Sequence, residues 1–165
     1  EKTMEEGWIT DGAMAQSVQQ AQNFWRYRED ISESISAYSP YKNDIAVKIS
    51  KVPAFVQDLN KILKTQYPTW EVIWFGHIGD GNLHINILRP AQMTKEAFVQ
   101  ECQKVDRLVF ESVHRQLGSI SAEHGVGLTK KPFLSFTRSP EEITLMRGIK
   151  NVFDPDNILN PGKIF

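Results

Sequence analysis

Apolar and polar positions repeat along this chain with two periods, one helical and one of two residues. Residues 13–37 are rich in helix formers and carry Val18, Phe24, Trp25, Ile31 and Ile35 at spacings that predict one helix with a broad apolar face, starting after Asp11-Gly12. Tyr38-Ser39-Pro40 breaks that pattern, and residues 44–49 alternate as a strand. Pro53 suits a first helical turn, and Phe55, Val56, Leu59, Ile62 and Leu63 recur every three to four residues until Tyr67-Pro68 stops them. Residues 71–75 are β-branched and aromatic, and in residues 83–88 apolar side chains alternate with His84 and Asn86, so two strands flank a glycine-rich loop. Thr94 caps a long helix whose stripe is Phe98, Cys102, Val105, Val109 and Val113, and Gly118 is placed to end it in the left-handed conformation. A strand over 119–122 follows. Ser139-Pro140-Glu141-Glu142 then spells a capping box for a last helix reaching about Val152, and turn sequences carry the chain to Phe165.

Hairpin-spaced strands mixed with crossing helices predict an α+β fold, a mainly antiparallel sheet with helices packed on one face. The 165 residues suit a single domain spanning 1–165. With 41% hydrophobic and 24% charged residues the composition is that of a globular protein, not of a disordered or fibrous one. Nineteen basic against 20 acidic side chains leave a net charge of -1, which gives no footprint for nucleic acid. One cysteine, Cys102, cannot close an internal disulfide and fits a reducing compartment, and neither a targeting segment nor a membrane span is visible.

Candidate chemistry gathers in two glycine-rich segments. Gly76-His77-Ile78-Gly79-Asp80-Gly81-Asn82-Leu83-His84 is an extravagant hairpin if reversal were its only task, and its glycines suggest a backbone that bends tightly or approaches something closely. His84 and Asn86 share the polar face of their strand. Two imidazoles converging there suit half of a metal site, although histidines hydrogen-bonded to neighbours would look the same. Glu123-His124-Gly125-Val126-Gly127 adds a carboxylate and an imidazole. On an extended backbone adjacent side chains diverge, so one of this pair ligates a metal with His77 and His84 while the other faces elsewhere unless the glycines turn the chain. We assign Glu123 to the metal, giving the two-histidine, one-carboxylate set of catalytic zinc and non-haem iron, and leave His124 to move a proton or to face solvent. His114, on the long helix, reads as a surface residue.

Taken together, the histidine-glycine segment at 76–84, Glu-His-Gly-x-Gly at 123–127 and Asn-Pro-Gly-Lys at 160–163 resemble the C-terminal domain of FAD-linked oxidases, of the D-lactate, D-2-hydroxyglutarate and glycolate dehydrogenase type. The resemblance covers nearly the whole chain and implies a two-part enzyme in which a preceding FAD-binding domain of the same polypeptide, absent from this chain, is capped by this one. It implies a D-2-hydroxy acid as substrate, a divalent metal (zinc, with manganese or iron as alternatives) on His77, His84 and Glu123, and His124 as proton acceptor. It further implies Arg28, Ser32, Lys42 and Asn86 as substrate contacts and Asn160 as a cofactor contact. A guanidinium at Arg28 can grip a carboxylate through two hydrogen bonds, whereas the residues alone favour a solvated helix arginine paired with Asp30 or Glu33. The expected reaction delivers hydride to FAD, then electrons to an acceptor the sequence does not identify. The expected location is the cytoplasm or, peripherally, the inner face of a membrane, and a homodimer is left open. Two other readings remain, a metal-dependent hydrolase and a non-catalytic metal-binding module. Against the first, no second carboxylate is evidently placed as general base and the zincin helix motif is absent.

Overall fold

The first 37 residues depart furthest from the helix that their spacing predicts. In the computed structural model, which describes residues 2–165, they form an N-terminal unit separate from a second, Tyr38–Phe165. A short α1 (Lys2–Glu5) comes first, and the helix expected over 13–37 is replaced by α2 (Val18–Glu29) and α3 (Ile31–Ser34), followed by a 3-10 turn. Ser17 caps α2 by accepting a hydrogen bond from the Gln20 N–H at 3.2 Å. The break falls at Asp30, a residue type better suited to a helix end than to its interior, and its carboxylate pairs with Arg26 at 2.9 Å. Val18, Phe24 and Trp25, expected to form a buried face, are exposed.

The second unit is built on three antiparallel strands, β1 (Tyr41–Ala46), β2 (Val72–His77) and β3 (Asn82–Ile87), in the order β1-β3-β2. Period two divides the central β3 into Leu83, Ile85 and Ile87 on one face and Asn82, His84 and Asn86 on the other. The apolar face packs with Ile45 against α4 (Val52–Gln66), which contributes Phe55, Leu59 and Leu63, and α5 (Lys95–Arg115), which contributes Phe98, Cys102, Val109 and Val113. Each large side chain buried there adds ~1.5–3 kcal/mol. The fold is α+β, with these helices on one face of an antiparallel sheet.

Three predicted boundaries move for identifiable reasons. The first strand covers 41–46 rather than 44–49, because it is paired with β3 from Tyr41 opposite Ile87 to Ala46 opposite Asn82. The strand expected over 119–122 shrinks to one bridge, Ser119 with Ala46. Beyond it the Ser119 hydroxyl donates to the Ser121 carbonyl at 2.8 Å and bends the chain. At the end of α5 the left-handed residue is Leu117, φ 55°, not Gly118. The Gly118 N–H donates to Val113 and the Leu117 N–H to His114, at 3.0 and 2.9 Å, closing the helix in a Schellman motif. Gly118 is needed for another reason, since a Cβ there would lie 2.5 Å from the Ala46 carbonyl oxygen.

The final helix, α6 (Pro140–Phe153), carries the predicted capping box, with Glu142 N–H to Ser139 Oγ at 3.2 Å and Ser139 N–H to Glu142 Oε2 at 2.8 Å. Leu145, Ile149, Val152 and Phe153 line one side of it and are exposed. Among the described residues no helix is long and apolar enough to cross a membrane.

Candidate functional site

The face of the sheet opposite α4 and α5 collects polar side chains by register alone. Asp44 stands across from His84 and Lys42 from Asn86 in the β1–β3 pair, while His77 stands across from Asn82 in the β2–β3 pair. Between β2 and β3 the turn is held by Asp80 Oδ1, which accepts the Asn82 N–H at 3.0 Å. Gly81 has φ +75°, and a Cβ on it would collide with the carbonyl of Val47. That glycine is therefore demanded by the chain's own close approach rather than by a ligand.

His77, His84 and Glu123 each bring a ligand atom into one cluster, all within 4.8 Å of one another. His77 Nε2 is 3.8 Å from Glu123 Oε1, and the two imidazole rings meet edge to face with centroids 5.4 Å apart. Two borderline nitrogen donors and one oxygen donor suit zinc, manganese or iron. The donor set and its spacing thus fit a single divalent ion.

Glu123 and His124 do not diverge as neighbours on a strand would. The segment is bent, so that both backbone N–H groups donate to Asp44 Oδ2, at 2.8 and 3.1 Å. His124 Nδ1 lies 3.8 Å from the same oxygen, and the His124 ring is 6.3 Å from that of His84. Asp44 Oδ1 is 3.4 Å from His84 Nδ1. Burial alone would raise the Asp44 carboxyl, but the two N–H groups and the charges of His124 and Lys130 hold it below its ordinary value. Burial pushes His84 down, against the pull of the Asp44 and Glu123 carboxylates, which favours the neutral imidazole that metal ligation requires.

Sequence reasoning missed Asp44. Its signal was parity, because position 44 shares a strand face with Lys42 and opposes Ile45. It is a second carboxylate in this region, yet its side chain is only 3% exposed and one oxygen is engaged by two N–H groups, unlike a base that activates water. Lys130 was missed as well, and nothing in the local pattern marks it. It is buried and donates to the Asp44 carbonyl at 2.8 Å. Behind it lies Asp106 of α5, which accepts from the Tyr41 hydroxyl at 2.5 Å and from Asn43 Nδ2 at 3.4 Å. Burial raises Asp106 and lowers Lys130.

Lys42 is exposed and Asn86 buried on the histidine face, and Asn86 Nδ2 has no hydrogen-bond partner among the described residues. Arg28, in the last turn of α2, and Ser32, in α3, are exposed residues of the N-terminal unit. There Arg26 Nε pairs with Asp30 Oδ2 at 2.9 Å. Asn160 adopts φ 47° in an exposed turn after α6. His114 is exposed, with Nδ1 2.7 Å from the Phe136 carbonyl.

A family model described as FAD linked oxidases, C-terminal domain, matches residues 1–164. The chain is 56% identical over 165 residues to the D-2-hydroxyglutarate dehydrogenase of Stutzerimonas stutzeri, a match covering 100% of the chain and 36% of the relative. It is 53% identical to the protein of the same name from Xanthomonas citri pv. viticola, covering 100% of the chain and 35% of the relative. With the mitochondrial D-2-hydroxyglutarate dehydrogenase of Arabidopsis thaliana it shares 38% identity, over 99% of the chain and 28% of the relative. The chain spans about a third of the length of the curated relatives it matches.

Proposed function

The chain belongs to the C-terminal domain family of FAD-linked oxidases, and from that premise we propose that it is the substrate- and metal-binding domain of an FAD-dependent D-2-hydroxy-acid dehydrogenase. The observation that carries the reading is the convergence of His77, His84 and Glu123 within 4.8 Å beside His124. A divalent ion, zinc foremost, would be held by those three side chains and would polarise a hydroxyl and a carboxylate oxygen, while a flavin from the preceding part of the polypeptide would supply the hydride acceptor.

The chain's own residues divide the remaining work. His124 takes the hydroxyl proton on its ring, with the Asp44 carboxylate 3.8 Å away to stabilise the imidazolium. Asn86 offers its unpartnered Nδ2 as a donor to a substrate oxygen, and Lys42 offers charge on the same sheet face. By the family resemblance, Arg28 and Ser32 contact the substrate, the guanidinium through a two-pronged grip on a carboxylate. Asn160 contacts the flavin. The part of the relatives that the chain does not span is long enough for an FAD-binding domain, and the exposed stripe Leu145, Ile149, Val152 and Phe153 offers such a domain a face to pack against. An electron acceptor beyond the flavin completes the cycle, in a reducing compartment.

Anaerobic flavin bleaching of the full-length protein with D- and L-2-hydroxy acids tests the reading, D-2-hydroxyglutarate first because the relatives at 53–56% identity carry that name. Bleaching by a D acid, abolished together with bound metal when His77, His84 and Glu123 are all alanine, is the expected result. No bleaching by any D-2-hydroxy acid overturns it.

A further inference from the structure

We propose that Asp44 is the positioning residue of this site, one buried carboxylate that orients the His84 imidazole through Oδ1 and the Glu123–His124 loop through Oδ2. The inference rests on the metal reading above and deepens it. Its geometry is unusually economical: Oδ2 accepts two consecutive backbone N–H groups, at 2.8 and 3.1 Å, which places the carboxylate of Glu123 and the ring of His124 from a single point. Oδ1 is buried and accepts no hydrogen bond among the described residues, and His84 Nδ1 lies 3.4 Å from it. A buried carboxylate oxygen without a donor is costly, and a proton on His84 Nδ1, the nearby ring nitrogen, would lessen that cost, which favours the Nδ1–H form. An imidazole protonated on Nδ1 keeps its lone pair on Nε2, so Asp44 selects the tautomer that ligates through Nε2. Asp44 is itself fixed, by its place opposite His84 in the β1–β3 ladder and by Lys130 on its carbonyl.

Asparagine at this position separates orientation from folding. Its carbonyl oxygen can still accept the Glu123 and His124 N–H groups, while its NH2 would face Nδ1 of His84 and favour the opposite tautomer. The test uses the full-length protein and Asp44→Asn, with nitrogen-15 NMR of the histidine rings in the metal-free state, titration with Zn2+ alone, and thermal melting. The wild type is expected to hold His84 as the Nδ1–H tautomer. Asp44→Asn should shift it toward Nε2–H and weaken Zn2+ binding ~10–100-fold while still melting cooperatively. A wild-type His84 in the Nε2–H form overturns the proposal, and that measurement decides it even if the variant fails to fold. Equal Zn2+ affinity of wild type and Asp44→Asn overturns the role of Asp44 alone. A wild type that binds no Zn2+ overturns the metal reading and this role with it.

Discussion

Lys130 Nζ donates a 2.8 Å hydrogen bond to the backbone carbonyl of Asp44, tying the loop that follows the Glu123–His124 bend to the strand facing the histidines. Among the described residues, that carbonyl would otherwise keep the Ala122 N–H, at 3.4 Å. Lys130→Met preserves the apolar stem and removes the donor, so it should destabilise the protein by about 1–3 kcal/mol. A lower urea midpoint with an unchanged slope is the expected signature, and an unchanged midpoint would show the contact to be dispensable.

The end of α5 offers a pair of opposed substitutions. Leu117 is exposed and left-handed, a conformation that disfavours a side chain, so Leu117→Gly should stabilise by about 1 kcal/mol. Gly118→Ala drives a Cβ toward the Ala46 carbonyl and should destabilise by about 1–3 kcal/mol. Chemical denaturation of both variants checks the signs, which exchange if the glycine serves as the left-handed cap.

Removing the proposed proton acceptor should leave the metal ligands standing. In the full-length enzyme His124→Ala is expected to lower kcat about 10²–10⁴-fold with metal content unchanged. Steady-state kinetics beside elemental analysis distinguishes this from loss of the ion, and undiminished turnover across pH 6–9 would remove His124 from the chemistry.

Arg28→Lys keeps the charge and loses the planar fork. The expected result is a raised KM for the D-2-hydroxy acid, with kcat affected less. An unchanged KM would return Arg28 to the status of a surface helix residue.

Acid should loosen the segment after α6. The Lys150 ammonium, with the Ile158 and Leu159 N–H groups, holds the Asp154 carboxyl below its ordinary 3.8 despite an opposing effect of burial. A lowered folded value means that the stabilisation is complete above 3.8 and disappears as pH falls below it through the folded value. Asp154→Asn should therefore show a shallower loss of unfolding free energy below pH 4 than the wild type, measured by urea unfolding at stepped pH.

Elements whose signal is local were legible in the order of residues alone. Period-two alternation in residues 83–88, one position off the observed strand, and the stripe of α5 each need only their own neighbours, and Ser139 with Glu142 closes a capping box within four residues. The three proposed metal ligands were also legible, because glycine-flanked histidines and a glutamate are conspicuous in composition. Features that depend on a distant partner came from the folded arrangement. Helix 13–37 breaks at Asp30, and 119–122 shrinks to one bridge beside Ala46. Leu117 rather than Gly118 turns left-handed, because the glycine is taken up by the approach to Ala46, 72 positions earlier in the chain. Asp44 read only as the first residue of a strand. Its connection to Glu123 and His124 joins positions about 80 residues apart, and no local pattern encodes a hydrogen bond whose donor is brought to it only by the folding of everything between.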